Sequence, residues 1–306
     1  MDEVTVLAPC SVSNVVCGFD CLGFVLQEPY DRVTVRRSRD EHIRITHLDN
    51  LGLSTDPVVN VAGVAIQALI DALDVDHGFE MEITKGAKPG SGIGSSAASA
   101  CGAVLAANAL LGSSFSRTEL INFAMAGEAV ASGARHADNL APCILGGFTL
   151  VRSIDPLDVV ELSFPPIYAT VIHPQIEIKT IEARAMLPEN VPLKNAIQNW
   201  SNLGAFVAGL AARDYDLISR SMVDALVEPL REALIPGYHG LKNAGLEAGA
   251  LGGGISGAGP SVFMLSETKM TAQNVESAMR DVYSKTGIEF RTYVSAVRRG
   301  GAATVR

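Results

Sequence analysis

Apolar and polar residues alternate singly through VTVLAP (Val4–Pro9), the two-residue period of a half-buried strand. After the turn region Gly18–Gly23, CLGFVL and DRVTVRRS read as two further strands and HIRITHL as another. The period then lengthens: NVAGVAIQALIDAL spaces its apolar residues three and four apart and predicts a helix, and FEMEIT returns to strand alternation. A glycine- and serine-rich stretch follows and runs into a helix predicted over about Ser95–Leu111. A second helix, SRTELINFAMAGEAVASG, opens on a capping box in which Ser116 caps the backbone and Glu119 reaches back. A short helix around Ala137–Leu145 stops at Gly146-Gly147, before the strand FTLVRS.

The Asp- and Pro-bearing IDPLDVVELSFPPIY is the natural boundary, dividing the chain into units 1–160 and 161–306. Beyond it come the strand YATVIHP, several helices between about Thr180 and Ala248, and a glycine-rich strand pair, ALGGGISGAGPSVFML. A helix (Thr271–Lys285) and the strand EFRTYVSAV end the pattern. Strands and helices mix without regular βαβ alternation, so the fold class expected is α+β in two units.

Composition narrows the function. The 306 residues are 48% apolar and 19% charged, the balance of a globular enzyme rather than a disordered chain. A net charge of −9 with no clustered Lys or Arg argues against nucleic acid as a partner, so any phosphate would be held mainly by backbone N–H groups. Five cysteines form no C-x-x-C pair, and Cys17 and Cys21 lack histidines at ligand spacing, which reads as buried thiols in a reducing cytosol. MDEVTVLAP is acidic and strand-like, unlike a signal peptide. No apolar run reaches the ~18–20 residues of a membrane span. The expectation is a cytoplasmic protein with no membrane partner.

The candidate chemistry lies in KPGSGIGSSAASACGAVLAANALLG, Lys88–Gly112. No Lys follows its glycines as a P-loop requires. Gly92-Ile93-Gly94-Ser95-Ser96-Ala97 matches G-x-G-x-x-A, but Lys85–Pro89 separate it from the preceding strand and the helix leads into another helix, so the dinucleotide reading fails. The physics of anion binding survives. Glycines let the backbone approach an anion, and Ser95 and Ser96 stand at a helix start with free N–H groups and the positive dipole end. A plain glycine turn capping a buried helix is the alternative that this segment alone leaves open.

PGSGIGSSAASA resembles the P-x-x-x-G-[LI]-x-S-S-A signature of the GHMP small-molecule kinases. APCSVSNVVCGFDCLGFVL, GEAVASGARHADNLAPCILGGF and GISGAGPSVFML are similar to the first, central and C-terminal motifs of the family's homoserine kinases, and KTIEAR and EPLREALIPGY also resemble them. The resemblance covers nearly the whole chain. It implies the two-domain GHMP kinase fold, with a first domain like domain two of ribosomal protein S5 and a ferredoxin-like second. It also implies ATP-dependent phosphorylation of the homoserine side-chain hydroxyl, with Mg²⁺ as cofactor, and a homodimer.

By position, the resemblance places ATP along Lys88, Pro89, Gly90, Ser91, Gly92, Ile93 and Gly94, and over the first helical turn of Ser95, Ser96, Ala97 and Ala98. Ser96 and Glu128 would hold Mg²⁺; Glu128 sits in apolar company, where an unpaired carboxylate is costly. Asp20 would take the substrate ammonium, with Asn14 and His136 helping, and Arg184 and Arg231 would clamp its carboxylate. Asn139 would lie near the hydroxyl and the γ-phosphate. The Lys of the mevalonate kinase and galactokinase first motif is absent, Cys10-Ser11 standing there, so direct attack by the hydroxyl is expected, with Asp138 as a possible base. Asn60 is a candidate adenine contact. The rivals are a GHMP kinase for another alcohol, which predicts that missing Lys, and a non-catalytic paralogue, which predicts loss of Ser96, Glu128 or the loop glycines.

Overall fold

Two sheets organise the chain in a computed structural model that describes residues 2–73 and 77–305. The first contains β1 (Glu3–Val15), β2 (Gly18–Arg37), β3 (Arg44–His47), β4 (Phe79–Thr84), β5 (Phe148–Ile154) and β6 (Leu157–Leu162). Its order is β1-β2-β4-β3, with β5 pairing an earlier stretch of β2 and carrying β6 on its outer side. The second sheet contains β7 (Tyr168–Pro174), β8 (Gly252–Ile255), β9 (Val262–Ser266) and β10 (Phe290–Ala296), in the order β10-β7-β9-β8, all antiparallel. A last short strand, β11 (Ala303–Thr304), returns to the first sheet and pairs with β1.

Two expectations change here. CLGFVL and DRVTVRRS belong to one 20-residue strand, because β1 pairs with both halves across Gln27–Tyr30 despite the polar break in the pattern. The stretch that reads as a boundary contains β6, whose pairing with β5 supplies backbone partners that Asp155 and Pro156 seemed to deny it. The capping box of Ser116 and Glu119 forms as expected.

Helices α1 (Val61–Leu73), α2 (Ser95–Leu110), α3 (Arg117–Ser132) and α4 (Leu140–Leu145) pack with the first sheet. α2 is buried on all sides, which its run of alanines permits: small side chains let neighbouring backbones close in. At Gly102 a Cβ would stand 2.6 Å from Cγ2 of Val33 on β2, so only glycine keeps α2 at that distance from the sheet. Then follow α5 (Thr180–Ala185), α6 (Leu193–Ala212), α7 (Tyr215–Ser221), α8 (Glu228–Arg231), α9 (Tyr238–Glu247) and α10 (Lys269–Tyr283); α9 and α10 cover the second sheet. Phe24 of β2 joins the two halves, its ring centroid 5.0 Å from Phe148 and 5.6 Å from Phe263 of β9. The first pair is tilted at 45° and the second nearly edge-on at 71°, and such contacts bury large apolar areas.

Candidate functional site

The glycine-rich stretch, α3, the turn between β1 and β2, and α5 share the walls of one cavity of about 420 Å³. The loop is pinned from behind by the second glycine-rich segment. Ser256 Oγ donates to the Gly92 carbonyl (2.7 Å), Ser261 Oγ donates to that of Ser91 (2.6 Å), and the Ser11 N–H donates to that of Ile93 (3.2 Å). With those carbonyls engaged by the protein, the N–H groups from Gly90 to Ala97 keep no protein acceptor among the described residues. This is the arrangement an anion needs. Gly94 caps α2 at φ 64°, and a Cβ there would meet Ser11 Oγ at 2.3 Å and Asn139 Oδ1 at 2.9 Å. Glycine is required at that position on both counts.

The eleven residues expected to contact nucleotide divide. Pro89, Gly90, Ser91, Gly92, Gly94, Ser95 and Ser96 line the cavity. Ile93, Ala97 and Ala98 are fully buried beneath it as packing, and the Ala98 N–H is already spent on the Gly94 carbonyl (2.9 Å). Lys88 stands outside, in a surface depression with Gln175 and Arg291. The charge beside the loop belongs instead to Lys85. Gly86 and Ala87 carry Lys88 away from the cavity, while Lys85, one residue past β4, is drawn inward by buried Asp31 of β2. Its ammonium pairs with Asp31, bonds the Ser95 carbonyl and donates to Ser99 Oγ (2.8 Å). Asp31 also accepts from Ser99 Oγ (2.7 Å) and the Gly86 N–H (2.9 Å), so the buried pair is satisfied all round.

The two serines that open α2 do different work. Ser95 Oγ donates to the Ala87 carbonyl (2.9 Å) and closes the loop; Ser96 Oγ donates to Glu128 Oε2 (2.9 Å) across the cavity wall. Burial pushes the Glu128 carboxyl up to about 7, against the Ser96 hydrogen bond, with the charge of Asp138 adding to the rise. Among the described residues no cluster of three or more His, Cys, Asp or Glu could enclose a metal. One carboxylate and one hydroxyl beside a phosphate cradle nevertheless suit a hard cation that takes its remaining oxygens from phosphate and water.

At the other end Asn14 and Asp20 both adopt positive φ, 55° and 57°. Asn14 bridges elements: its Nδ2 donates to the Gly257 carbonyl (2.8 Å), and its Oδ1 accepts from the Asp20 N–H (2.8 Å). The Asp20 side chain is thereby aimed at Arg184 on α5, whose Nη2 donates to both of its oxygens (2.8 and 2.7 Å). His136 Nδ1 lies 3.8 Å from Asp20; burial, and then the charge of Arg184, lower its pKa against the pull of Asp20. Arg231 of α8 is 3% exposed and, among the described residues, donates only to the carbonyls of Ala183 and Gly257. The guanidinium carbons of Arg184 and Arg231 lie 5.7 and 5.1 Å from the Phe19 ring centroid.

Asn139 joins the two ends. Its Oδ1 accepts from Ser11 Oγ and its Nδ2 donates to Ser13 Oγ, both at 2.8 Å, so β1 holds the amide plane at the cavity wall. Asp138 is 3% exposed, and burial, then the charge of Asp20, raises its carboxyl to about 6. Asn60 also lines the cavity, but its side chain is engaged: Oδ1 caps α1 through the Ala62 N–H (2.9 Å), and Nδ2 donates to the Ser54 carbonyl (2.7 Å). Ser11, Ser13, Lys85, Asp31, Ser256 and Ser261 escaped the sequence reading. The alternation of Ser11 and Ser13 on one strand face was the available signal for the first pair; the others look like ordinary surface positions until the fold is known.

The sequence model described as GHMP kinases N terminal domain matches residues 60–147, and that described as GHMP kinases C terminal matches residues 206–285. A homoserine kinase of Chloroherpeton thalassium is 43% identical, covering 99% of each chain, and one of Xanthomonas campestris is 40% identical, covering 98% of this chain and 93% of its own. The crystal structure of homoserine kinase from Cytophaga hutchinsonii superposes with a TM-score of 0.96 at 46% identity, over 100% of this chain and 98% of that one. The crystal structure of L. major mevalonate kinase in complex with R-mevalonate shares the fold at a TM-score of 0.73 and 15% identity.

Proposed function

We propose a residue-level mechanism for a chain that belongs to the GHMP kinases and, within them, to the ATP-dependent homoserine kinases. In this reading the triphosphate lies on the N–H groups of Gly90–Ser96 and homoserine lies between Asp20 and the two arginines. The observation that carries it is the convergence of the phosphate cradle, the Ser96–Glu128 pair and the Asp20/Arg184/Arg231 cluster on one cavity. Units 1–160 and 161–306 are its two domains, supported in outline by the change of sheet, which falls a few residues later, between the end of β6 at Leu162 and Tyr168. A homodimer in the cytoplasm completes the proposal, the setting supported by five free thiols.

Ser96 Oγ and the Glu128 carboxylate would hold Mg²⁺, which supplies charge neutralisation at the phosphate oxygens. The loop amides orient the γ-phosphoryl group, and the backbone carbonyls turned toward Ser256 and Ser261 keep those amides facing it. Asp20 binds the substrate ammonium, and Arg184 and Arg231 bind its carboxylate, which together direct the side-chain hydroxyl toward Asn139. Asn139, held rigid by Ser11 and Ser13, fixes the hydroxyl in line with the phosphoryl group. Such transfer depends chiefly on positioning and charge stabilisation, so the hydroxyl attacks directly: its oxygen bonds to the γ-phosphorus as the bond to the ADP oxygen breaks, and its proton passes to an oxygen of the transferred phosphoryl group.

A second reading gives its proton to Asp138, and the carboxyl pKa of about 6 favours it, since the group is ionised at neutral pH yet still basic. Asp138→Asn separates the two: a kcat loss of roughly 10²-fold or more supports the base, and a loss under about tenfold supports direct attack. The experiment for the function as a whole is ADP release with homoserine, serine, threonine, mevalonate and galactose offered in turn. Turnover with mevalonate or galactose in preference to homoserine would overturn the substrate placement.

A further inference from the structure

The Asp20–Arg184 pair is lopsided. Both Asp20 oxygens are met by a single nitrogen, Nη2, at 2.8 and 2.7 Å, whereas guanidinium and carboxylate pair best side by side through two nitrogens. Arg184 Nε is buried and has no hydrogen-bond partner. Asp20 is thus fully matched while half of the arginine fork goes unused. Close by, Arg231 is a buried cation whose only acceptors among the described residues are two backbone carbonyls, each at 3.3 Å. His136 Nε2 is likewise buried without a partner among the described residues. The resting pocket therefore holds one carboxylate already paired with a cation, and guanidinium donors still unspent.

We infer that Arg184 is a built-in competitor for the substrate ammonium: it occupies Asp20 until a molecule carrying both an ammonium and a carboxylate separates the pair. The inference rests on the substrate placement proposed above and adds a selection rule to it. With a zwitterion the exchange balances. The Asp20–Arg184 pair is replaced by Asp20–ammonium and carboxylate–Arg184, and Arg231, which feels Asp20 and Asp224 only at a distance, gains a carboxylate in direct contact. An amine without a carboxylate would take Asp20 and strand Arg184 beside Arg231, two like charges against one ring. An acid without an amine would dock on Arg231 and leave Asp20–Arg184 shut. Selection for a zwitterion is thereby set by a contact inside the enzyme as well as by contacts to the substrate, in the manner of an interface that rejects wrong partners by stranding a charge.

The two half-substrates are 3-aminopropan-1-ol, which is homoserine without its carboxylate, and 4-hydroxybutanoate, which is homoserine without its ammonium. In the wild type each has a kcat/KM roughly 10²–10⁴-fold below that of homoserine. The decisive variant is Arg184→Met. Its kcat/KM for homoserine falls, because a carboxylate ligand is gone, while its kcat/KM for 3-aminopropan-1-ol rises above the wild-type value by about tenfold, because Asp20 now stands open. An arginine that served only as a carboxylate clamp would leave the amine, which has no carboxylate, unchanged; that result overturns the inference. Calorimetric titration with the same amine gives the answer independently of turnover, and Arg184→Gln repeats it should the methionine variant not fold. Absence of homoserine turnover in the wild type would sink the proposed function. Homoserine turnover without the gain for the amine would sink only the competitor role of Arg184.

Discussion

Replacing Lys85 by Met tests whether the loop is held by a buried charge pair. The Lys85 side chain is 2% exposed and that of Asp31 0%. Methionine fills most of the lysine stem, so little cavity forms, and the loss is mainly electrostatic. Removing one partner of a buried pair costs about 3–5 kcal/mol, because the other charge is left uncompensated. Asp31 would keep the Ser99 hydroxyl and the Gly86 N–H, which holds the expected cost near the lower end, about 3 kcal/mol. In a chain of this size each kcal/mol lowers Tm by about 2–4 °C, so calorimetry at fixed scan rate should show a fall of roughly 6–12 °C. Adding Asp31→Asn should recover part of it, since the stranded carboxylate is then gone. The variant also loses the ammonium that bonds the Ser95 carbonyl, so KM for ATP rises severalfold while KM for homoserine stays put. A Tm fall under about 2 °C would refute the argument, because an exposed pair is worth no more than ~1 kcal/mol.

Four further outcomes are expected. Glu128, raised to about 7, holds a cation only when ionised, so kcat/KM for ATP should climb with pH through the neighbourhood of 7, and Glu128→Gln should abolish both the climb and most of the activity. Stability moves oppositely: the folded carboxyl keeps its proton where the unfolded one has lost it, so the ligand-free protein loses stability as pH rises from about 4.5 to about 7, and Glu128→Gln flattens that slope in Tm measured across the range. Gly94→Ala places a methyl against Ser11 and Asn139 at a left-handed φ; kcat/KM for ATP should drop by roughly 10²-fold with the far-ultraviolet dichroism intact, and near-wild-type kinetics would contradict the strain. Asn139→Ala frees Ser11 and Ser13 and should lower kcat more than it raises KM for homoserine; an unchanged kcat would remove Asn139 from the mechanism.

Residues whose role depends on local backbone were readable in advance. The capping box at Ser116 and Glu119 sits in four consecutive positions, and the glycine stretch announces its own conformations. The pairing of Ser96 with Glu128, and the gathering of Asp20, Arg184 and Arg231, were expected through resemblance and not from spacing, since they lie on elements far apart in the chain. Lys88 misled because, of two lysines three residues apart, the nearer to the loop looked better placed. Which one turns inward is decided by Asp31, more than fifty positions away on β2, and no local pattern reports that. Asn139 was expected near the hydroxyl and the γ-phosphate; its two hydrogen bonds to Ser11 and Ser13 on β1, which hold the amide in place, have no signal in the local sequence.

The return of β11 to β1 has a consequence for how the molecule assembles. The Ala302 N–H donates to the Cys143 carbonyl, Arg117 reaches the Ala302 carbonyl, and Val6 and Leu7 take Thr304 and Ala303 as neighbours. During synthesis the nucleotide half emerges first yet lacks its border strand until some three hundred residues have left the ribosome. Until then the Val6–Leu7 stretch of the β1 edge lies open to any extended peptide, so the half that carries the phosphate cradle waits on a strand made after the other half.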